Sequence, residues 1–119
     1  MNYNIHSLFP TTVYQGEVPL DPKISDHIKD ESYRRMDNDT AFITDNSNLL
    51  EESKYDFLKS YIMAHLVVYT QTVLNLPPKY EFYMQNSWGV LLRPDMVGRT
   101  HVHENSLISG VYYLDSPKD

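Results

Sequence analysis

No cysteine occurs among the 119 residues. That absence excludes a disulfide framework and a thiolate metal site, and it leaves imidazole, carboxylate and water as metal ligands. It suits a reducing cytoplasm, the expected location. Basic residues are scarce too. Ten Lys and Arg stand against sixteen Asp and Glu, for a formal net charge of -6, which disfavours a nonspecific grip on nucleic-acid phosphates. No nucleic-acid partner is expected. Long apolar runs are also missing. None approaches the roughly 18–20 residues that cross a bilayer, and the opening MNYNIHSLFP lacks a basic region followed by an apolar stretch. Neither a membrane partner nor secretion by such a signal is expected. There is no internal repeat and no low-complexity tract.

What is present is an apolar fraction of 41% in a chain of single-domain length, enough for a modest core. Ten tyrosines suit half-buried β surfaces and pocket walls, where the ring packs and the hydroxyl finds a partner. Residues Ile5 to Val18 alternate loosely around Pro10 and Gly16 and predict one or two short edge strands. His6 in this segment reads as a partly exposed histidine near a terminus. From Leu20 to Asp30, Pro22 in a first turn with Ile24 and Ile28 four apart predicts a short amphipathic helix, with His27 on its solvated side.

Glu31 to Asn48 is polar apart from Phe42 and Ile43 and predicts an irregular segment with one short strand. Arg34 and Arg35 beside so many acids read as surface charge. Phe57, Leu58, Tyr61, Ile62, Leu66, Tyr69, Val73 and Leu76 then recur at three- and four-residue spacing until Pro77-Pro78. This is the strongest periodic signal in the chain and predicts a helix bracing one side of a sheet, capped by Asn48 with Glu51 or by Ser53. His65 near its apolar stripe reads as a structural histidine. From Lys79 to Leu92, Tyr80, Phe82 and Met84 alternate with Glu81, Tyr83 and Gln85, and Trp88, Val90 and Leu92 continue the rhythm of a strand. Arg93-Pro94-Asp95 begins a turn, and Gly98 permits a bend ahead of the next segment.

That segment, GRTHVHENSLISGVYYL, carries the functional signal. On an extended strand, residues two apart share a face about 6–7 Å apart. His101 and His103 are then able to converge on a first-row metal, while Val102 turns the other way. A polar turn (Glu104, Asn105, Ser106) and the β-rich run Val111-Tyr112-Tyr113-Leu114 follow.

The run from Gln85 to Pro117, QNSWGVLLRPDMVGRTHVHENSLISGVYYLDSP, resembles the 2-oxoglutarate/Fe(II)-dependent oxygenases of the small type often carried by phages and marine bacteria. Those proteins place a Trp-bearing strand, a Gly-containing turn, H-x-H, a short polar loop and S-G-V-Y-Y-[LV] in that order. The opening IHSLFPTTVYQGEV is similar to the same family's first strand. The resemblance implies an α+β fold: a double-stranded β-helix (jelly roll, cupin-like) half with an N-terminal strand and two supporting helices. It also implies Fe(II) as cofactor, 2-oxoglutarate as co-substrate, and C–H hydroxylation coupled to oxidative decarboxylation. For a phage-encoded protein the compartment is the host cytoplasm.

Carried over residue by residue, the resemblance makes His101, His103 or both the metal ligands. It makes Tyr113, with Val111 on the same face, a wall for the co-substrate. The wider superfamily has H-x-D or H-x-E where this chain has His103, so either both imidazoles bind metal or one does, with water or Glu104 supplying oxygen. The superfamily's distal histidine, and the Arg or Lys that pairs with the 5-carboxylate of 2-oxoglutarate, follow the S-G-V-Y-Y stretch. All five histidines of this chain precede that stretch. The expectation is therefore the N-terminal part of a longer or split oxygenase, or a truncated product, with the barrel incomplete at its C-terminus and little or no activity alone. Residues 1–119 are expected as one domain, with a C-terminal half or a second chain as the partner that completes the barrel. Two alternatives stay open: a cupin-like metal-binding non-oxygenase, and a structural or interaction module with a relict metal motif.

Overall fold

A computed structural model describes residues 11–36 and 41–114. His6 and the first part of the expected N-terminal strand lie outside them. Residues 11–18 form no strand. They are held instead by side chains, because the Tyr14 hydroxyl donates to Nδ1 of His65 at 2.8 Å and Nε2–H of His65 donates to the Glu17 carbonyl at 2.9 Å. A Cβ on Gly16 would come within 2.5 Å of the His65 ring, so this close approach requires glycine. His65 is thus a structural histidine with both ring nitrogens engaged.

Helix α1 runs Pro22–Lys29. Asp21 caps it by accepting from the Lys23 N–H at 3.0 Å, and Pro22 occupies the first turn, where its missing N–H costs nothing. Ile24 is buried and Ile28 packs beside it. His27 departs from the solvated position read from its pattern. It is half-buried, its ring edge-on to Tyr55 at 6.0 Å, because α1 lies across the turn that carries Tyr55.

Strands β1 (Tyr33–Arg35), β2 (Phe42–Thr44) and β3 (Val90–Leu91) form one antiparallel sheet in that order. Tyr33 pairs with Thr44 and Arg35 with Phe42, while Ile43 pairs with Val90. The short strand at Phe42–Ile43 was legible as an apolar pair; its partner, the polar Tyr-Arg-Arg, was not. Arg34 lies 3.9 Å from Asp45 at the surface, an ion pair of small energetic weight.

Two 3₁₀ turns, Leu49–Glu51 and Ser53–Tyr55, lead into helix α2, Asp56–Thr72. They correct the expected caps: Asn48 and Ser53 begin or sit in these turns, and α2 starts after Tyr55 with no side-chain cap. Beyond its end Asn75 takes the left-handed backbone at φ 52°, the Leu76 N–H returns to the Thr70 carbonyl at 3.0 Å, and Pro77-Pro78 prevents continuation. The expected stripe divides between two faces. Leu58 is buried and Ile62 packs on the core, whereas Phe57, Tyr61 and Val73 are exposed.

The core is Ile24, Leu49, Leu50, Tyr55 and Leu58, with Val18, Ile28, Ile62, Met84, Tyr112 and Leu114 against it. The Tyr55 hydroxyl donates to Oε1 of Glu31 at 2.8 Å, and Lys54 bonds the same carboxylate. Burial pushes Glu31 up, but its hydrogen bonds from Lys54 and Tyr55, aided by the Lys54 charge, outweigh this and hold it below its usual value. Burial, then the hydrogen bond to Glu31, pushes Tyr55 far up.

The expected strand at Lys79–Leu92 shrinks to β3 and one parallel bridge, Asn48 with Ser87. No strand follows β3 among the described residues, so the H-x-H segment and Val111–Leu114, both read as strands, are extended chain without a ladder. An alternating sequence supplies only one side of a sheet, and among the described residues no strand lies alongside these segments to bond them. The described residues give an α+β arrangement of one three-stranded sheet and two helices.

Candidate metal centre

Trp88 marks where the sheet meets the H-x-H segment. Its neighbours are tied on both sides. Ser87 donates its N–H to the Ser47 carbonyl at 2.8 Å, its carbonyl accepts from the Leu49 N–H at 2.9 Å, and its Oγ accepts from the Leu50 N–H at 2.9 Å. Gly89 donates to Oγ1 of Thr44 at 3.0 Å and accepts from the Thr44 N–H at 3.0 Å. The Trp88 side chain is thereby fixed at its root, although the residue is 39% exposed.

The His103 ring lies 5.6 Å from the Trp88 ring, tilted at 46°, and the His101 ring meets His103 edge-on at 4.9 Å and 80°. The two imidazoles are therefore side by side, as their spacing predicts, but on a solvent-exposed segment without strand pairing. No strand ladder of a barrel wall runs through them; the contacts they make are the two ring contacts and one hydrogen bond. Nδ1 of His101 lies 2.8 Å from the Arg99 carbonyl. A carbonyl only accepts, so Nδ1 carries the proton and, in the neutral ring, Nε2 keeps its lone pair. Metal-ligating histidines are commonly oriented this way.

Two imidazoles bound to one first-row ion at about 2.0–2.1 Å place their ring centroids roughly 4.5–5.3 Å apart for inter-ligand angles between square and tetrahedral. The observed 4.9 Å lies in that interval, and equally in the range of about 4.5–7 Å over which rings pack edge-on without any metal. Among the described residues, no group of three or more His, Asp or Glu side chains gathers where an ion could sit. The segment brings two imidazoles together, and no complete protein triad forms among the described residues. Glu104 follows His103 in an exposed turn closed by the Ser106 N–H on the His103 carbonyl at 3.2 Å.

Tyr113 and Val111 share a face, 77% and 76% exposed. Tyr112 and Leu114 turn inward onto the core. The period of two survives here with no ladder among the described residues, because burial of Tyr112 and Leu114 against the core fixes which side faces in. Two contributors to this site were missed in the sequence. The Arg99 carbonyl leaves no trace, since every residue has one. Trp88 was visible only as a strand residue; an aromatic ahead of the Gly-containing turn was the available signal.

Among the described residues, no helix is long and apolar enough to cross a membrane. Comparison with curated proteins and with solved structures returns no match. Residues 86–119, the stretch that holds Trp88, His101, His103, Val111 and Tyr113, match the model of the family described as "Putative 2OG-Fe(II) oxygenase", which supports the oxygenase family read from those same residues.

Proposed function

We propose that this chain supplies the iron-binding segment of a 2-oxoglutarate/Fe(II)-dependent dioxygenase with a double-stranded β-helix, His101 and His103 being two of the metal ligands. The observation that carries the reading is the adjacency of the two imidazoles, 4.9 Å apart, inside the stretch matched by the family. The Nδ1–H bond of His101 to Arg99 further supports it by leaving Nε2 available. A third ligand comes from Glu104, from water, or from a C-terminal half or second chain that completes the barrel. Val111 and Tyr113, accessible on the face turned from the core, form a wall for 2-oxoglutarate. Fe(II) and 2-oxoglutarate together supply the oxidising power for C–H hydroxylation, with succinate and carbon dioxide as co-products; the chain's part is to hold the ion and exclude water from it.

Anaerobic calorimetry with Fe(II), with and without 2-oxoglutarate, tests this. Fe(II) binds the chain, binding is lost in the double variant His101→Ala, His103→Ala, and 2-oxoglutarate tightens it several-fold by adding ligands to the same ion. An Fe(II) affinity indifferent to 2-oxoglutarate would point to a cupin-like non-oxygenase, and one indifferent to both histidines would remove the site altogether.

A further inference from the structure

We infer that Trp88 is a positioning residue for the histidine pair: its ring holds the His103 imidazole beside His101, and so transmits the rigidity of the sheet to a segment that has no ladder of its own. The inference rests on the reading of His101 and His103 as metal ligands. Its own support is separate. Trp88 lies between two residues pinned by five hydrogen bonds to residues 44–50, whereas His101 and His103 lie on exposed, unladdered chain.

The contacts run in one line, Trp88 to His103 at 5.6 Å and His103 to His101 at 4.9 Å. A freely rotating imidazole must give up its rotamer freedom when a metal binds, and a neighbouring ring that has already restricted it removes part of that cost. Partners that orient ligands through hydrogen bonds typically change metal affinity about 10–100-fold, and a ring contact is set at the lower end of that scale. Aromatic faces also attract imidazole edges without any backbone contact.

The chain has a single tryptophan, which makes the test direct. Co(II) alone serves as an oxygen-stable probe of the two histidines, titrated by calorimetry into the wild-type chain, Trp88→Ala and Trp88→Phe. The ring protons of His103 are followed by NMR without metal. Expected are an upfield ring-current shift of His103 in the wild type, its loss in Trp88→Ala with about tenfold weaker Co(II) binding, and recovery of most of the affinity in Trp88→Phe. Equal Co(II) affinity in Trp88→Ala and wild type, or His103 proton shifts unchanged by that substitution, overturns the inference even if the metal reading stands. If the wild type takes up no Co(II), the metal reading falls alone, and the His103 shifts still decide whether Trp88 holds that ring. Trp88→Phe, which keeps an aromatic face, separates orientation from a general loss of fold.

Discussion

Thr44 and Gly89 clasp each other through two hydrogen bonds: the Gly89 N–H donates to Thr44 Oγ1 at 3.0 Å, and the Thr44 N–H donates to the Gly89 carbonyl at 3.0 Å. Thr44 is fully buried, and its hydroxyl in turn donates to the Asn46 carbonyl at 2.8 Å. This clasp fixes the backbone from which Trp88 projects toward the histidines. Thr44→Val keeps the shape but strands the Gly89 N–H and the Asn46 carbonyl, at a cost of about 1–3 kcal/mol. Chemical denaturation should show that loss, together with a weakened Trp88–His103 contact.

Gly89 sits where a side chain would be tight. An added Cβ would stand 3.1 Å from the methyls of Ile28 and Thr44 and 3.3 Å from the Tyr33 hydroxyl. Gly89→Ala should destabilise the chain by about 1–2 kcal/mol through overpacking, measured as a lowered denaturation midpoint with an unchanged slope.

Gly16 and His65 form a second close approach. Because the Gly16 backbone lies against an imidazole held from both sides, Gly16→Ala and His65→Ala should break the same clasp. Each is expected to cost about 1 kcal/mol, and the double variant little more than either alone, since residues sharing one contact are not additive. A double-mutant cycle in urea checks this; simple additivity would show that the two do not act together.

The Glu31 carboxylate sets the acid limit. Its folded value lies below the unfolded one, because hydrogen bonds from Lys54 and Tyr55 outweigh the opposing effect of burial. Its contribution is complete above about pH 4.3 and is lost as pH falls through the lower folded value. The melting temperature of the wild type should therefore fall more steeply than that of Glu31→Gln between about pH 5 and pH 3. At the other end Tyr55, raised by burial and by Glu31, contributes stability that is fully present below about pH 10 and lost as pH rises through its folded value. Tyr55→Phe should flatten that alkaline limb.

His101 should be a single tautomer. With Nδ1–H committed to the Arg99 carbonyl, nitrogen NMR of the neutral ring should report a protonated Nδ1 and a bare Nε2. Co(II) should then perturb Nε2. A mixture dominated by the other tautomer would place the metal-facing atom wrongly and count against His101 as a ligand.

Much of this was legible from residue order. Asp21-Pro22 followed by Ile24 and Ile28 predicts α1 because capping and the first turn are local events, and the long period from Phe57 ends where Pro77-Pro78 makes a helix impossible. The proximity of His101 and His103 follows from their separation of two on any extended chain. The inward choice of Tyr112 over Tyr113 does not, since both alternating faces of Val111–Leu114 are apolar and only contact with the core selects one.

Strand content was the weakest reading, for the same reason. Alternation in Lys79–Leu92 describes a chain ready to pair, but a ladder exists only where another segment lies alongside, and that is a relation between distant residues. The structure alone decided that β3 is two residues long, that Tyr-Arg-Arg pairs with Phe42–Thr44, and that Glu31 is bonded by both Lys54 and Tyr55. The sequence by itself determined which residue types are able to bind a metal and that two of them stand next to each other. The bond from His101 to the Arg99 carbonyl is local, two residues back along the chain, whereas the placing of His103 against the ring of Trp88 was decided by the tertiary structure, because it joins residues fifteen apart that no local pattern brings together.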